Sequence, residues 1–190
     1  MAINYPTKKQ TNEEIKKTHY FKSQGMTLEN ELNVSNEYYI KHNKANIHKK
    51  PTPVQVVRVD YPARNKAKIV EAYYKLPSTT DYNGIYRMKY IDYEAKETQN
   101  SAFYFKFIYE HQIDHLLKID ELGGIAFIII YFKKYNEIYI IDIKDFYRYY
   151  NSPEYKCITI EMVRLIGKKC DLGYTPPIDY LKAVDDLYFK

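Results

Sequence analysis

The sequence has no hydrophobic run of the roughly 18 residues that a membrane-spanning helix needs. Its longest apolar stretch, Ile125–Phe132, has the length of a buried strand. Residues 1–18 are polar and rich in lysine, without the apolar segment of a secretory signal. We therefore expect a cytoplasmic protein with no membrane partner.

Cysteine and tryptophan are also scarce. Cys157 and Cys170 are the only two cysteines, and they form neither a C-x-x-C motif nor a set with paired histidines. This pattern argues against structural zinc and fits a reducing compartment. Tryptophan is absent, and the 23 tyrosines are spread over the whole chain. A composition bias with ordinary core and surface use explains them, so we assign no single tyrosine a base-stacking role.

The 190 residues, of which 45% are hydrophobic and 28% charged, suit one globular domain. Residues 1–22 lack hydrophobic periodicity and are expected to form a flexible tail, followed by a single domain over residues 23–190. Periodicity and capping signals predict helices near residues 27–44, 110–122, 145–150 and 178–188. Strands are predicted near residues 45–50, 81–86, 89–96, 124–132 and 136–143. This order predicts a mixed α/β domain with a central sheet.

One segment is basic and forms no clear apolar face. Residues 49–75 contain seven basic and two acidic residues, although the whole chain has a net charge of only +5. Residues 54–60 alternate like a strand, and residues 67–74 fit either a strand or a short helix. We interpret this segment as a projecting element with a polyanionic partner, or alternatively as a solvated basic surface.

Acidic and basic side chains share one face of the strand predicted at residues 89–96. Side chains alternate faces in a strand, so Asp92, Glu94 and Lys96 point one way while the residues between them are free to pack. Phosphodiester hydrolysis uses carboxylates that hold Mg²⁺ and a lysine that stabilises the developing negative charge. The E-x-K spacing is weak alone, since it also occurs by chance on solvated strands.

A second carboxylate is expected to converge on the first. Asp81 opens the preceding strand, and a hairpin would bring it close to Glu94. Thr79 lies two residues earlier and, in an extended segment, its oxygen would point the same way. The pattern Asp-x12-Glu-x-Lys therefore predicts a metal site between consecutive strands.

Several motifs resemble the RecU family of Holliday junction resolvases, in order from about residue 25 to the C-terminus. They are GMTLE at 25–29, HKKPTPVQV at 48–56, STTDYNG at 78–84, IDYEAKET at 91–98, HQ at 111–112 and LGY at 172–174. The resemblance implies a restriction-endonuclease-like, PD-(D/E)XK fold and a homodimer. It also implies paired nicks across a four-way junction during recombination and DNA repair, with further recombination proteins as candidate partners.

The resemblance also implies roles for particular residues. The family's Mg²⁺ ligands, for which Mn²⁺ is an expected substitute, fall on Thr79, Asp81, Glu94 and Gln112. Its transition-state-stabilising lysine falls on Lys96, so the implied catalytic residues are Asp81, Glu94 and Lys96. Sequence pattern alone favours a buried capping or packing role for Gln112.

The family's projecting stalk, which inserts into the junction, matches about residues 53–74. The candidate DNA contacts there are Arg58, Arg64, Lys66 and Lys68, about half of which we expect only to solubilise the stalk. The chain departs from the family at Arg87 and Met88, where a tight turn would normally carry glycine. Residues 151–170 match little of the family pattern.

Three functions compete at this stage. The first is a magnesium-dependent junction-resolving endonuclease. The second is a branched-DNA-binding recombination protein that does not cleave, although carboxylates near a phosphate repel it unless a metal intervenes. The third is a sequence-specific nuclease of the restriction type, for which no element that reads base edges is identifiable.

Overall fold

The structure, a computed structural model, describes residues 27–63, 65–75 and 79–189. The tail expected at residues 1–22 and the candidate DNA contact Arg64 lie outside the described residues. The helices are α1 (Leu28–Lys41), α2 (Glu110–Glu121), α3 (Ile143–Tyr150), α4 (Ile160–Ile166) and α5 (Tyr180–Tyr188). The strands are β1 (Asn46–Lys49), β2 (Val54–Asp60), β3 (Lys68–Tyr74), β4 (Tyr82–Tyr86), β5 (Lys89–Thr98), β6 (Ala102–Tyr104), β7 (Ile125–Phe132), β8 (Glu137–Asp142), β9 (Cys157–Thr159), β10 (Lys168–Lys169), β11 (Asp171–Leu172) and β12 (Ile178–Asp179).

A six-stranded mixed sheet forms the centre of the fold, in the order β1-β4-β5-β7-β8-β10. Only β5 and β7 pair in parallel; every other neighbouring pair within this sheet is antiparallel. Parallel strands need a long crossover connection, and the one between β5 and β7 contains helix α2. Strand β5 is therefore an interior strand, paired along its length with β7 and flanked by β4 on its other side.

Helices cover both faces of this sheet. Residues of α1 and α5 pack into one core with Tyr93 and Phe127. Residues of α2, α3 and α4 pack into the other core with Ile128 and Ile130. Every side chain of β7 is buried, which explains its unbroken apolar run. The prediction of a mixed α/β domain with a central sheet is confirmed. Within the described residues, no helix has both the length and the apolar composition to span a membrane.

Tyrosines fill much of the core between the sheet and the first and last helices. Tyr82 and Tyr93 stack at 4.8 Å between ring centroids, and Tyr93 stacks on Phe127 at the same distance. The buried tyrosine hydroxyls of this core have hydrogen-bond partners. Tyr180 donates to Asn36 Oδ1 at 2.5 Å, and Asn36 Nδ2 donates to the Tyr93 hydroxyl at 3.2 Å. The interpretation of these residues as core rather than stacking platforms is therefore confirmed for the tyrosines buried here.

Capping and turn residues in the sequence predict the ends of most helices and strands to within a few residues of their observed positions. Thr27 caps α1, its hydroxyl accepting from the Asn30 amide at 3.4 Å, and Gly123 follows α2 with a φ of 86°. Strand β4 starts at Tyr82 rather than at Asp81, and α5 starts at Tyr180 rather than at residue 178 because Ile178–Asp179 forms a short strand.

The basic segment forms a separate antiparallel hairpin, β2–β3. The choice between strand and helix for residues 67–74 is therefore resolved as strand. Nearly all side chains of the hairpin are exposed, including apolar ones such as Val57 and Tyr74. The register shifts around Arg58, a bulge that increases the local twist.

The turn between β4 and β5 keeps its register without glycine. Arg87 and Met88 both adopt the left-handed region, with φ of 48° and 62°. Helix α5 supports this turn: Asp185 Oδ1 accepts from the Tyr86 hydroxyl at 2.8 Å and lies 3.3 Å from Arg87 Nη1. The guanidinium also sits 4.9 Å from the centroid of the Phe189 ring.

Met88 is 99% exposed and makes no comparable contact with the described residues, so its backbone strain is uncompensated by its side chain. We expect Met88→Gly to raise the free energy of unfolding by about 0.5–1 kcal/mol, because glycine adopts a positive φ without a Cβ clash. Urea denaturation measures the change. Met88→Ala is the control, since it removes the side chain but keeps the Cβ; equal stabilisation by both variants would contradict the explanation.

Candidate active site

Strand β5 presents Asp92, Glu94 and Lys96 on the face that α2 covers. Their neighbours across the parallel pairing are Ala126, Ile128 and Ile130 on β7, which belong to the core on that face. Asp92 and Glu94 are fully buried, whereas the side chain of Lys96 is 19% exposed. The predicted alternation of faces along β5 is confirmed.

The two carboxylate oxygens of Glu94 differ: one accepts hydrogen bonds, and the other has no hydrogen-bond partner among the described residues. Its Oε1 accepts from Lys96 Nζ at 2.6 Å and from Gln112 Nε2 at 2.7 Å. Its Oε2 is buried and has no hydrogen-bond partner among the described residues. A buried carboxylate oxygen without a donor is costly, so this atom is well suited to bind a cation.

Asp81 lies against the same stretch of β5. The pairing of Tyr82 with Tyr93 places Asp81 across from Glu94, and Asp81 Oδ2 accepts from the Ala95 amide at 2.9 Å. The hairpin therefore brings Asp81 and Glu94 together, as expected. Burial raises the pKa of Glu94 to about 7, and the nearby negative charge of Asp81 adds to the rise, against the opposing effects of Lys96 and Gln112.

Gln112 contacts Glu94 directly, whereas the Thr79 side chain contacts Lys50. The exposed Thr79 accepts from Lys50 Nζ at 3.0 Å through its hydroxyl. Gln112 is buried and presents its amide nitrogen to Glu94, while its Oε1 accepts from the Tyr109 amide at 3.1 Å. Gln112 thus has the capping contact that sequence pattern favoured and also lies at the site; ligation of a metal through Oε1 would require this amide to turn over.

The donor set fits a hard divalent cation. No group of three or more His, Cys, Asp or Glu suited to a metal occurs among the described residues. Asp81 and Glu94 nevertheless supply two carboxylates, one of them with a bare buried oxygen. Mg²⁺ characteristically uses one or two carboxylates and completes its octahedron with water and substrate oxygens.

A second polar cluster, which sequence reasoning missed, surrounds Asp92. The alternation of side chains along the strand predicts the face of Asp92 correctly, but no sequence pattern assigns it a role. Its carboxylate contacts Lys50, Thr80, Tyr90 and His115, which come from four separate stretches of chain. Period-two alternation could have flagged Asp92 itself, but no local signal links it to residues 42 positions before or 23 positions after it.

The candidate DNA contacts are not part of this carboxylate cluster. Arg58 lies on β2, Lys68 begins β3, and Lys66 lies in the connection between these strands. All three are exposed. Strand β5, which carries the buried carboxylates of Asp92 and Glu94, therefore belongs to a different sheet from the basic hairpin.

Comparison with known proteins identifies close relatives. The family model described as "RecU: Recombination protein U" matches residues 23–186. Proteins named Holliday junction resolvase RecU from Bacillus cereus (strain G9842) and Bacillus cytotoxicus are each 46% identical over 200 residues, covering 100% of this chain and 100% of the relative. The chain also shows a limited likeness to the solved structure of Archaeoglobus fulgidus Hjc, a Holliday junction resolvase. The match covers 69% of this chain and 88% of that chain, with a TM-score of 0.41 and 9% identity.

The raised pKa of Glu94 makes the stability of the metal-free protein depend on pH. The carboxyl releases its proton near pH 4.5 when unfolded and near pH 7 when folded. Between these values the folded chain holds a proton that the unfolded chain has lost, so the free energy of unfolding falls as pH rises. Glu94→Gln lacks this titration, and its stability relative to wild type should increase by on the order of 3 kcal/mol across the window.

Urea denaturation in EDTA at intervals from pH 4.5 to 8 measures this difference. Glu121→Gln, which alters an exposed carboxyl on α2, is the control and should run parallel to wild type. Parallel profiles for Glu94→Gln and wild type would show that Glu94 titrates normally in the folded protein.

Proposed function

The chain belongs to the RecU family, and we propose that it is a structure-selective endonuclease that resolves Holliday junctions by paired nicks. It would act on DNA in the cytoplasm during homologous recombination and DNA repair. The 46% identity over the full length of relatives that carry the name Holliday junction resolvase supports this proposal.

One observation carries the catalytic part of the proposal. Glu94, beside Asp81 and Lys96, keeps a buried oxygen without a partner among the described residues. A protein that only binds DNA has no use for two neighbouring carboxylates, because they repel the phosphate backbone. This arrangement argues against the non-cleaving alternative.

The proposed metal ligands are Asp81, Glu94, Thr79 and Gln112. When bound, Mg²⁺, or Mn²⁺ in its place, would polarise a phosphoryl oxygen and lower the pKa of the attacking water. Lys96, which lies 2.6 Å from Glu94 Oε1, would donate to the phosphate oxygens as negative charge develops. Gln112 holds the same Glu94 oxygen and so fixes the carboxylate that faces the reaction.

Selectivity for a four-way junction would come from the basic hairpin and from symmetry. Exposed cations on β2–β3 give affinity and position on phosphates without reading sequence. We propose a homodimer, because two equivalent sites related by a two-fold axis match the two equivalent scissile bonds of a symmetric junction.

Removal of the central carboxylate tests the catalytic assignment. Glu94→Ala should lower the rate of nicking of a synthetic four-way junction in Mg²⁺ by at least about a thousandfold, because both metal and transition-state stabilisation depend on it. Its junction affinity in EDTA should remain within a factor of a few of wild type. Glu121→Ala, which removes an exposed carboxylate from α2, should cleave normally.

Undiminished nicking by Glu94→Ala would remove the catalytic proposal. Junction binding without nicking by the wild-type protein would instead favour the non-cleaving alternative. Linear duplex offered in competition with the junction separates a junction resolvase from a sequence-specific nuclease, since only the latter should prefer its duplex site.

The hairpin is tested through the salt dependence of junction binding. The triple variant Arg58→Ala, Lys66→Ala, Lys68→Ala should weaken binding and reduce the slope of log affinity against log salt, by about 0.9 for each phosphate that the variant no longer neutralises. Lys182→Ala, an exposed lysine on α5, is the control. Because about half of these residues are expected only to solubilise the hairpin, the slope should fall by about one to two; an unchanged slope would assign DNA binding elsewhere.

A further inference from the structure

Asp92 is a buried carboxylate whose oxygens are both occupied. Oδ1 accepts from the Thr80 hydroxyl. Oδ2 accepts from Lys50 Nζ at 2.8 Å, from the Tyr90 hydroxyl at 3.0 Å, and lies 3.0 Å from His115 Nε2. Asp92 therefore differs from Glu94, two residues along the same face, which keeps one oxygen bare. This saturation argues against Asp92 as a metal ligand.

The ammonium group of Lys50 is also fully used inside this cluster. Its three hydrogens have three acceptors: Thr79 Oγ1 at 3.0 Å, Thr80 Oγ1 at 2.5 Å and Asp92 Oδ2 at 2.8 Å. The side chain of Lys50 is only 14% exposed, and that of Asp92 is fully buried. In this arrangement Lys50 ties the chain at residues 79–80 to β5 rather than offering its charge to solvent.

The partners of Asp92 belong to the segments that carry the proposed ligands. Thr80 stands between Thr79 and Asp81, and the Lys50 amide donates to the Asp81 carbonyl at 2.7 Å. His115 lies one helical turn after Gln112 on α2, on the same side of the helix. One carboxylate thus contacts both segments that approach Glu94, one leading into β4 and the other on α2.

We propose that Asp92 is the positioning residue of the metal site, holding residues 79–81 and helix α2 in the register that brings their ligands to Glu94. This inference rests on the proposed function and adds a residue that touches neither metal nor DNA. A buried ion pair that only stabilised the fold would have no reason to engage the two ligand-carrying segments together.

The test measures Mn²⁺ binding by isothermal titration calorimetry on the metal-free full-length chain, without DNA. Thr80→Val removes the hydroxyl that bridges Lys50 and Asp92 but keeps the side-chain shape and the charge of Asp92, whereas Thr80→Ser keeps the hydroxyl. Asp92→Asn removes the charge at the centre of the cluster. Tyr39→Phe is the matched control, since it removes a buried hydroxyl that donates on the opposite side of the sheet.

We expect Mn²⁺ affinity to fall at least tenfold in Asp92→Asn and severalfold in Thr80→Val, and to return to near wild type in Thr80→Ser. The Mn²⁺ concentration for half-maximal nicking should rise in parallel, while junction affinity in EDTA and the maximal rate at saturating Mn²⁺ change little. If Asp92→Asn fails to fold, the Val and Ser variants of Thr80 still decide the matter.

Two results would overturn the proposal: wild-type Mn²⁺ affinity in Thr80→Val, or an equal loss of affinity in Thr80→Val and Tyr39→Phe, which would reduce the effect to general destabilisation. A wild-type protein that binds Mn²⁺ but nicks no junction would refute the proposed function, and the comparison of affinities among the variants would remain valid.

Discussion

The pairing of the buried Glu94 with the half-buried Asp81 is the constraint on which the rest of the structure depends. Folding places one carboxylate inside the protein, next to another, and provides the amine of Lys96 and the amide of Gln112 as donors to it. The desolvation of Glu94 and the repulsion from Asp81 are left partly uncompensated, as the bare Oε2 and the raised pKa both indicate. A divalent cation bound there, as we propose, would correct this deficit, so that part of the affinity for metal would come from a local cost in folding free energy.

Such a cost is tolerable because the surrounding sheet is closely packed on both faces. Strand β5 is an interior strand, and β7 beside it is buried along its whole length. On the far side of the sheet, the stacked rings of Tyr82, Tyr93 and Phe127 lock β4, β5 and β7 together. On the near side, saturated contacts at Asp92 fix the segments around Glu94. Among the described residues, the buried side-chain atom without a hydrogen-bond partner is Glu94 Oε2, and the polar groups around it are hydrogen-bonded.

Much of this arrangement follows from short-range patterns in the sequence. Period-two alternation places Asp92, Glu94 and Lys96 on one face, and the short turn at Arg87 and Met88 brings Asp81 across from Glu94. The remainder depends on contacts between residues far apart in the chain, which local patterns do not encode. Residues 151–170 show why: Cys157–Thr159 becomes a strand only by pairing with Ala102–Tyr104. Likewise, the glycine-free turn keeps its register through Asp185, nearly a hundred residues away.

Charge is divided between two parts of the molecule, the exposed hairpin and the carboxylates of the central sheet. The hairpin carries exposed cations such as Arg58 and Lys68, which attract phosphates at long range without any metal. At the carboxylates, by contrast, Lys96 and Lys50 are held by Glu94 and Asp92, so their positive charge is largely neutralised. If the proposed function holds, a phosphate brought by the hairpin meets a net negative site until a divalent cation reverses its sign. Junction binding would then be independent of metal while cleavage requires it, which keeps a DNA-bound protein from nicking before the site is complete.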